Sequence, residues 1–288
     1  MKIGVVLAGC ASKGPYEVGV LKALEEYFGL ENIRYISSAS VGALFAQAHC
    51  TGVLDELCDM WRNIDTEKNG KFILSYTGNE NILSDLDSLF DNDNKSYCEH
   101  TVCLWNFNDR RVEYVPFHTL SKDDFKQYMR AAISVPFFTK GTKINGTKFY
   151  DGAFLDNIPV SPLVDKDLDF IFCVYFDNRN YIFENEEFDK KVIKLFDFPN
   201  TKRLEVMFYS RESLDAMAQY GYEYTTRIVK QLFDGAENTE QVHTAIEELE
   251  KTYTCKYKPR LTADTVLSNL NFLSKHYTKQ QSTRTKKK

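Results

Sequence analysis

Three short stretches of the chain carry residue types that could do chemistry together. The first is Ser38-Ala39-Ser40-Val41-Gly42, between a strand-like run (Arg34 to Ser38) and a small-residue helical run (Val41 to Thr51). A serine on a sharp strand-to-helix turn sits at a helix N-terminus, where the helix dipole favours developing negative charge. Small neighbours relieve the crowding of such a turn. Ser40 can therefore be a nucleophile toward an acyl carbonyl, or simply an N-cap whose hydroxyl accepts from the first helical N–H groups. The pentapeptide leaves both readings open.

The second stretch is Gly9-Cys10-Ala11-Ser12-Lys13-Gly14, followed by Pro15 and Tyr16. A phosphate-binding P-loop needs Lys-Ser/Thr after the last glycine, and a dinucleotide site needs GxGxxG; both are missing. The loop either offers backbone N–H groups to an oxyanion or merely connects a strand to a helix. The third stretch is Tyr150-Asp151-Gly152-Ala153, at the end of a strand-like run. An aspartate at a strand's carboxyl end can act as general base if it reaches the serine hydroxyl. An Asp-Gly pair also forms ordinary turns. A Ser–acid–His order with Asp151 and His243 is available. However, only one strand and one helix precede the strand of Ser40, unlike the several strands of an α/β-hydrolase. His243 lies in the polar run EQVHTAIEELEK and reads as a solvent-facing helix residue.

The elements that must position these groups are legible as a pattern. Residues 2–8 read as a buried strand, 15–28 as an amphipathic helix with Val18, Leu21, Leu24 and Phe28 at helical spacing, and 34–38 as a second strand. Strand–loop–helix–strand–turn–helix opens a parallel α/β sheet. Val53 to Trp61 reads as a helix, and the rest of 53–95 as a cap or mobile loop. Residues 101–107 and 111–115 alternate around Asn108-Asp109 as a hairpin, 122–133 reads as helical, and 170–176 as a buried strand. Helical patterns then cover 189–197, 202–233 and 238–251. The expected organisation is a core over 2–176, a mainly helical region over 177–277 packed on it, and a basic disordered tail over 278–288.

Composition narrows the function classes. A net charge of −5 gives no electrostatic basis for nucleic-acid binding. The seven cysteines form no CxxC pair, so no zinc site is expected. Most lie in apolar strand-like or helix-like runs, which suggests reduced, packed thiols in a reducing compartment. The first residues do not read as a signal peptide, and no stretch has 18 apolar residues, so a cytoplasmic protein is expected. Aromatic pairs such as Phe137-Phe138 read first as core, with lining of an acyl channel as the other use.

Taken in order, the motifs resemble those of the patatin-like phospholipases. The glycine-rich loop with Lys13 as its basic residue, Gly19-Val20-Leu21, the elbow at Ser40, Ala131 to Phe138 around Pro136, and Asp151-Gly152 with Asn157-Ile158-Pro159-Val160 match that family's blocks over about residues 2–160. The resemblance implies a three-layer α/β/α sandwich with a mostly parallel central sheet. It also implies a Ser40–Asp151 dyad without histidine, metal or cofactor, and an oxyanion hole from Gly9, Cys10, Ala11, Lys13 and Gly14. The substrate would be a phospholipid or other lipid acyl ester, met by peripheral contact with a membrane. Three departures stand out: Cys10 and Ala11 replace loop glycines, Ser38 replaces the first elbow glycine, and Ala153 replaces the last glycine of the aspartate block. If position 10 or 11 requires a positive φ, its Cβ costs on the order of 1 kcal/mol. The alternative is a catalytically weak module of the same fold that binds lipid or protein.

Overall fold

The computed structural model describes residues 1–64, 79–90, 96–177, 179–196, 211–255 and 257–260. It is an α/β/α sandwich with a mostly parallel central sheet. Strand β1 (Ile3–Leu7) is buried throughout and lies between β2 (Ile33–Ala39) and β7 (Phe170–Val174), parallel to both. Its alternate residues serve two cores. Ile3, Val5 and Leu7 pack with helices α1 (Gly14–Phe28) and α2 (Gly42–Thr51), whereas Val6 and Ala8 pack with Ile158, Leu163 and Tyr175 on the other face. A strand buried on both faces reads as a continuous apolar run, which is why 2–8 was legible.

The topology brings the chemistry together at strand β3 (Glu99–Asn106). One edge of β3 carries the antiparallel strand β4 (Arg111–Pro116) along residues 101–106. The other edge is shared. Parallel β2 covers it up to the pair Ala39–Cys103, and antiparallel β6 (Thr147–Asp151), hairpinned to β5 (Thr142–Ile144), takes over from the pair Asp151–Leu104. Strands β2 and β6 thus meet tip to tip on one edge, and Ser40 and Asp151 emerge at the junction. Gly152 lies flat on β3 there: a Cβ on it would come within 2.4 Å of the Cys103 carbonyl carbon and oxygen.

Helices α3 (Leu54–Arg62), α4 (Glu80–Leu89) and α5 (Lys122–Ala132) complete the near half of the helical layer. Helix α4 was not expected from its polar surroundings; Asn79 caps it by accepting from the N–H groups of Asn81 and Ile82. Beyond residue 176, the helix expected over 189–197 is absent from its described part, residues 189–196. A single turn, α6 (Glu186–Asp189), is followed by strand β9 (Val192–Leu195), which extends the main sheet beside β7. Strands β8 (Asn180–Ile182) and β10 (Tyr257–Pro259) pair separately. Helix α7 (Arg211–Phe233) crosses α1 closely enough that a Cβ on Gly19 would meet the Ala218 carbonyl at 2.0 Å, and α8 (Thr239–Lys251) follows it. The expected tail over 278–288 lies outside the described residues.

The expectation of reduced thiols fails at one pair. Cys50, at the end of α2, and Cys98, at the entry to β3, form a disulfide with Cα atoms 5.4 Å apart, whereas Cys10, Cys58, Cys103, Cys173 and Cys255 are free. Disulfides persist outside reducing compartments. The bond closes a loop of sequence separation 48. By chain entropy that constraint stabilises the fold by about 4 kcal/mol. Cys98→Ala should therefore lower the denaturant midpoint by a corresponding amount, and dithiothreitol should lower the wild-type midpoint but leave the variant unchanged. Equal midpoints for wild type and variant would show that the bond contributes nothing.

Candidate active site

Ser40 occupies the left-handed region at φ +56, a conformation that costs a residue with a Cβ and persists only where the surroundings impose it. Here β2 ends against β6 and α2 starts two residues later, with the Ala43 N–H donating to the Ser40 carbonyl at 2.9 Å. The capping role is not the one Ser40 plays: the α2 N-cap is Val41 and no side chain caps the helix. The Ser40 hydroxyl instead lies beside the Asp151 carboxylate and favours its charged form. Both groups are withdrawn from water, Ser40 at 8% and Asp151 at 3% exposure. Burial pushes the Asp151 carboxyl up to about 6, against the neighbouring Ser40 hydroxyl and the hydrogen bond from the Ala153 N–H (2.9 Å), which favour its charged form.

The loop of Gly9 to Gly14 faces this pair. A Cβ on Gly9 would lie 2.4 Å from Asn157 Oδ1, 2.6 Å from the Ala153 methyl and 3.2 Å from Ser40 Cβ, so only glycine permits the approach. The Gly9 N–H is already given to the Asn157 carbonyl (3.1 Å). Among the described residues, the N–H groups of Cys10 and Ala11 donate to no backbone carbonyl. Position 11 is the strained one: Ala11 has φ +50, while Cys10 sits at φ −125. Lys13 ends the loop with its ammonium 5.0 Å from the centre of the Phe176 ring, and burial lowers its pKa. Gly14 starts α1 against the Phe45 ring, where a Cβ would come within 2.0 Å.

Two buried groups outside the motifs, Glu17 and the pair His100 and Gln47, bond to motif residues. Glu17, fully buried in α1, accepts the Cys10 thiol on Oε2 (3.4 Å) and lies beside Gly42, where a Cβ would be 3.1 Å from the same oxygen. Burial raises its pKa well above the ordinary carboxylate value, and its carboxyl group joins the loop to the elbow. Its only trace in the sequence is an acidic residue in helical register with Leu21, Leu24 and Phe28, on the apolar face of an amphipathic helix. Ser38, in the place of the first elbow glycine, donates to His100 Nε2 (2.7 Å), and His100 Nδ1–H donates to Gln47 Oε1 (2.8 Å). Burial pushes the His100 pKa down to about 3, so this ring stays neutral.

His243 is corrected by the structure. It is not solvent-facing but half-buried, 5.4 Å from the Phe170 ring at the entry of β7, the opposite end of the sheet from Ser40. Among the described residues no cluster of three or more His, Cys, Asp or Glu side chains could hold a metal ion, and no described helix is long and apolar enough to cross a membrane.

A family model described as patatin-like phospholipase matches residues 5–164. No curated protein sequence matches the chain. Among solved structures, VipD from Legionella pneumophila aligns at 14% identity and TM-score 0.49, over 78% of this chain and 66% of that one. The type III effector ExoU aligns at 13% identity and TM-score 0.42, over 85% of this chain and 53% of that one. The chain thus spans between half and two-thirds of the length of these proteins. With the matched region running from β1 through the elbow, Asp151 and the segment after it, the chain belongs to the patatin-like phospholipase family.

Proposed function

We propose that the protein is a serine acyl hydrolase that releases fatty acid from lipid esters, as a phospholipase A or lysophospholipase, using Ser40 and Asp151. The observation that carries this reading is the placement of Ser40, buried on its strained turn at the tip of β2, beside the buried Asp151 at the tip of β6. Asp151 takes the Ser40 proton as Oγ attacks the ester carbonyl, and the N–H groups of Cys10 and Ala11 receive the oxyanion. Asp151 then gives the proton to the leaving alcohol. A water molecule, deprotonated by Asp151, attacks the acyl-enzyme, and the fatty acid leaves as Ser40 recovers its proton. The test is fatty-acid release from a panel of phospholipid, lysophospholipid and triglyceride, each compared with Ser40→Ala. Turnover retained in the variant overturns the reading.

The second reading, a catalytically weak binding module, draws on Ala11: an alanine at φ +50 carries a cost of about 1 kcal/mol that glycine would not. A fluorophosphonate probe separates the two. Labelling that disappears in Ser40→Ala supports the hydrolase, and an unlabelled folded protein supports the module.

The raised Asp151 pKa sets a pH profile. A general base must be ionised, so kcat/KM should rise about tenfold per pH unit below about 6 and level off above it. An acid limb near the ordinary aspartate value, about 4, would show that Asp151 does not act as the buried base.

A further inference from the structure

Phe137 and Phe138, read from the sequence as core, are exposed at 88% and 58%. Phe137 belongs to a continuous aromatic surface, and Phe138 is exposed next to it in the chain. Phe137 meets Phe154 edge-on (6.0 Å), Phe154 stacks on Trp105 (5.3 Å), and Trp105 contacts Phe107 (5.4 Å), which reaches Tyr150 (5.6 Å). Phe154 and Phe107 are themselves 56% and 46% exposed. Monomeric proteins rarely leave large aromatic side chains clustered in water without a use.

This surface is built onto the active site. Phe154 follows Ala153, whose N–H bonds Asp151 and whose methyl group abuts Gly9. The loop bearing Phe137 is tied to the same residue, because the Asp151 N–H donates to the Ser134 carbonyl (2.9 Å). Phe137 also sits at φ +71, a genuine outlier for a bulky residue. The backbone accepts strain in order to turn this ring outward, and strain of that kind marks working positions.

The fringe is basic. Lys148 lays its ammonium over the Phe107 and Tyr150 rings (5.6 and 5.0 Å), and Lys143 is its cross-strand neighbour. Exposed Lys140 holds Tyr150 through its carbonyl, and exposed Arg110 lies in the β3–β4 turn. The nearby acids are engaged: Asp109 and Glu113 both pair with Arg111 and both accept from Asn106. Aromatic rings rimmed by lysines match the headgroup zone of a bilayer, where rings enter the acyl boundary and cations meet phosphate.

We infer that Phe137, Phe138, Phe154 and Phe107 form the face on which the protein docks to a bilayer containing anionic phospholipid, with the mouth of the Ser40 site held against the lipid. This deepens the hydrolase reading by placing the membrane, and it rests on that reading only for what happens after docking. The test is flotation of Ser40→Ala protein with vesicles of phosphatidylcholine and phosphatidylserine, so that docking is read without turnover. Phe137→Ser and Phe138→Ser should each weaken partitioning about tenfold, while Phe137→Trp retains it. Lys140→Glu with Lys143→Glu should weaken binding to the mixed vesicles but not to pure phosphatidylcholine. Unchanged flotation of the double Phe→Ser variant overturns the proposal. So does a dimer in sedimentation velocity that Phe137→Ser dissolves, which would assign the face to a second copy of the chain. If wild type releases no fatty acid yet floats and loses flotation in the Phe variants, the hydrolase reading fails and the docking face stands.

Discussion

Ser40→Ala is expected to lower fatty-acid release by about 10,000-fold or more, and Asp151→Asn by a similar factor. In a dyad each member is useless without the other: an unactivated hydroxyl is a poor nucleophile, and a base with nothing to deprotonate does no chemistry. The double variant should therefore be hardly worse than either single one, whereas independent contributions would multiply. Residual release above the uncatalysed rate would come from the Cys10 and Ala11 N–H groups, which neither substitution touches. Folding supplies the control. The Asp151 pKa of about 6 in the folded chain lies above its ordinary value of 3.8, so the native state binds this proton more tightly than the unfolded chain does. Ionising Asp151 thus costs stability as pH rises from about 4 to about 6, and the cost is complete above that. Asparagine carries no charge and can still accept from the Ala153 N–H. Asp151→Asn should accordingly melt no lower than wild type at neutral pH while losing its activity. A variant that is inactive because it is unfolded would show the opposite.

The same residues show what the sequence could and could not disclose. Ser40, Asp151 and the Gly9–Gly14 loop were legible because each sits in a short local motif at the end of a strand. The reason they meet was not legible. It depends on β2 and β6 sharing one edge of β3, a pairing decided between Cys103 and Leu104 and far along the chain from Ser40. The Ser38–His100–Gln47 relay spans sequence separations of 62 and 53 and has no local signature. Strand β9 was misread as helix for a different reason. Its third residue, Lys194, is buried and answers Asn180 Oδ1 (2.6 Å) and Glu250, so VIKL looks like an amphipathic fragment although every residue is covered. Cys50 and Cys98 resemble the five free cysteines in context, and only the fold brings them together.

A second large effect is expected at Arg260, the last described residue. Its guanidinium is buried against Asp156 (2.5 Å) and the Ile158 carbonyl (2.7 Å), with Ser161 and Glu184 at 3.4 Å, while the Tyr114 hydroxyl donates to the other Asp156 oxygen (2.7 Å). This cluster holds the segment that follows Asp151. The Asp156 N–H donates to the Gly152 carbonyl, and the Asn157 carbonyl receives the Gly9 N–H. Arg260→Leu would leave Asp156 buried without its cation, at a cost of about 3–5 kcal/mol in a denaturant melt. Pairing it with Asp156→Leu should recover much of that loss, because the desolvation of two charges disappears together. The pH dependence tells this account from simple loss of packing. Burial already raises the Asp156 pKa, and Arg260 opposes that rise. Without Arg260 the folded pKa climbs further, so the penalty grows as pH rises above the ordinary aspartate range and shrinks as Asp156 takes up a proton. A deficit that stays constant from pH 4 to 8 would assign the effect to the lost side-chain volume. One that widens with pH would place a buried charge at the root of the loop on which Asp151 depends.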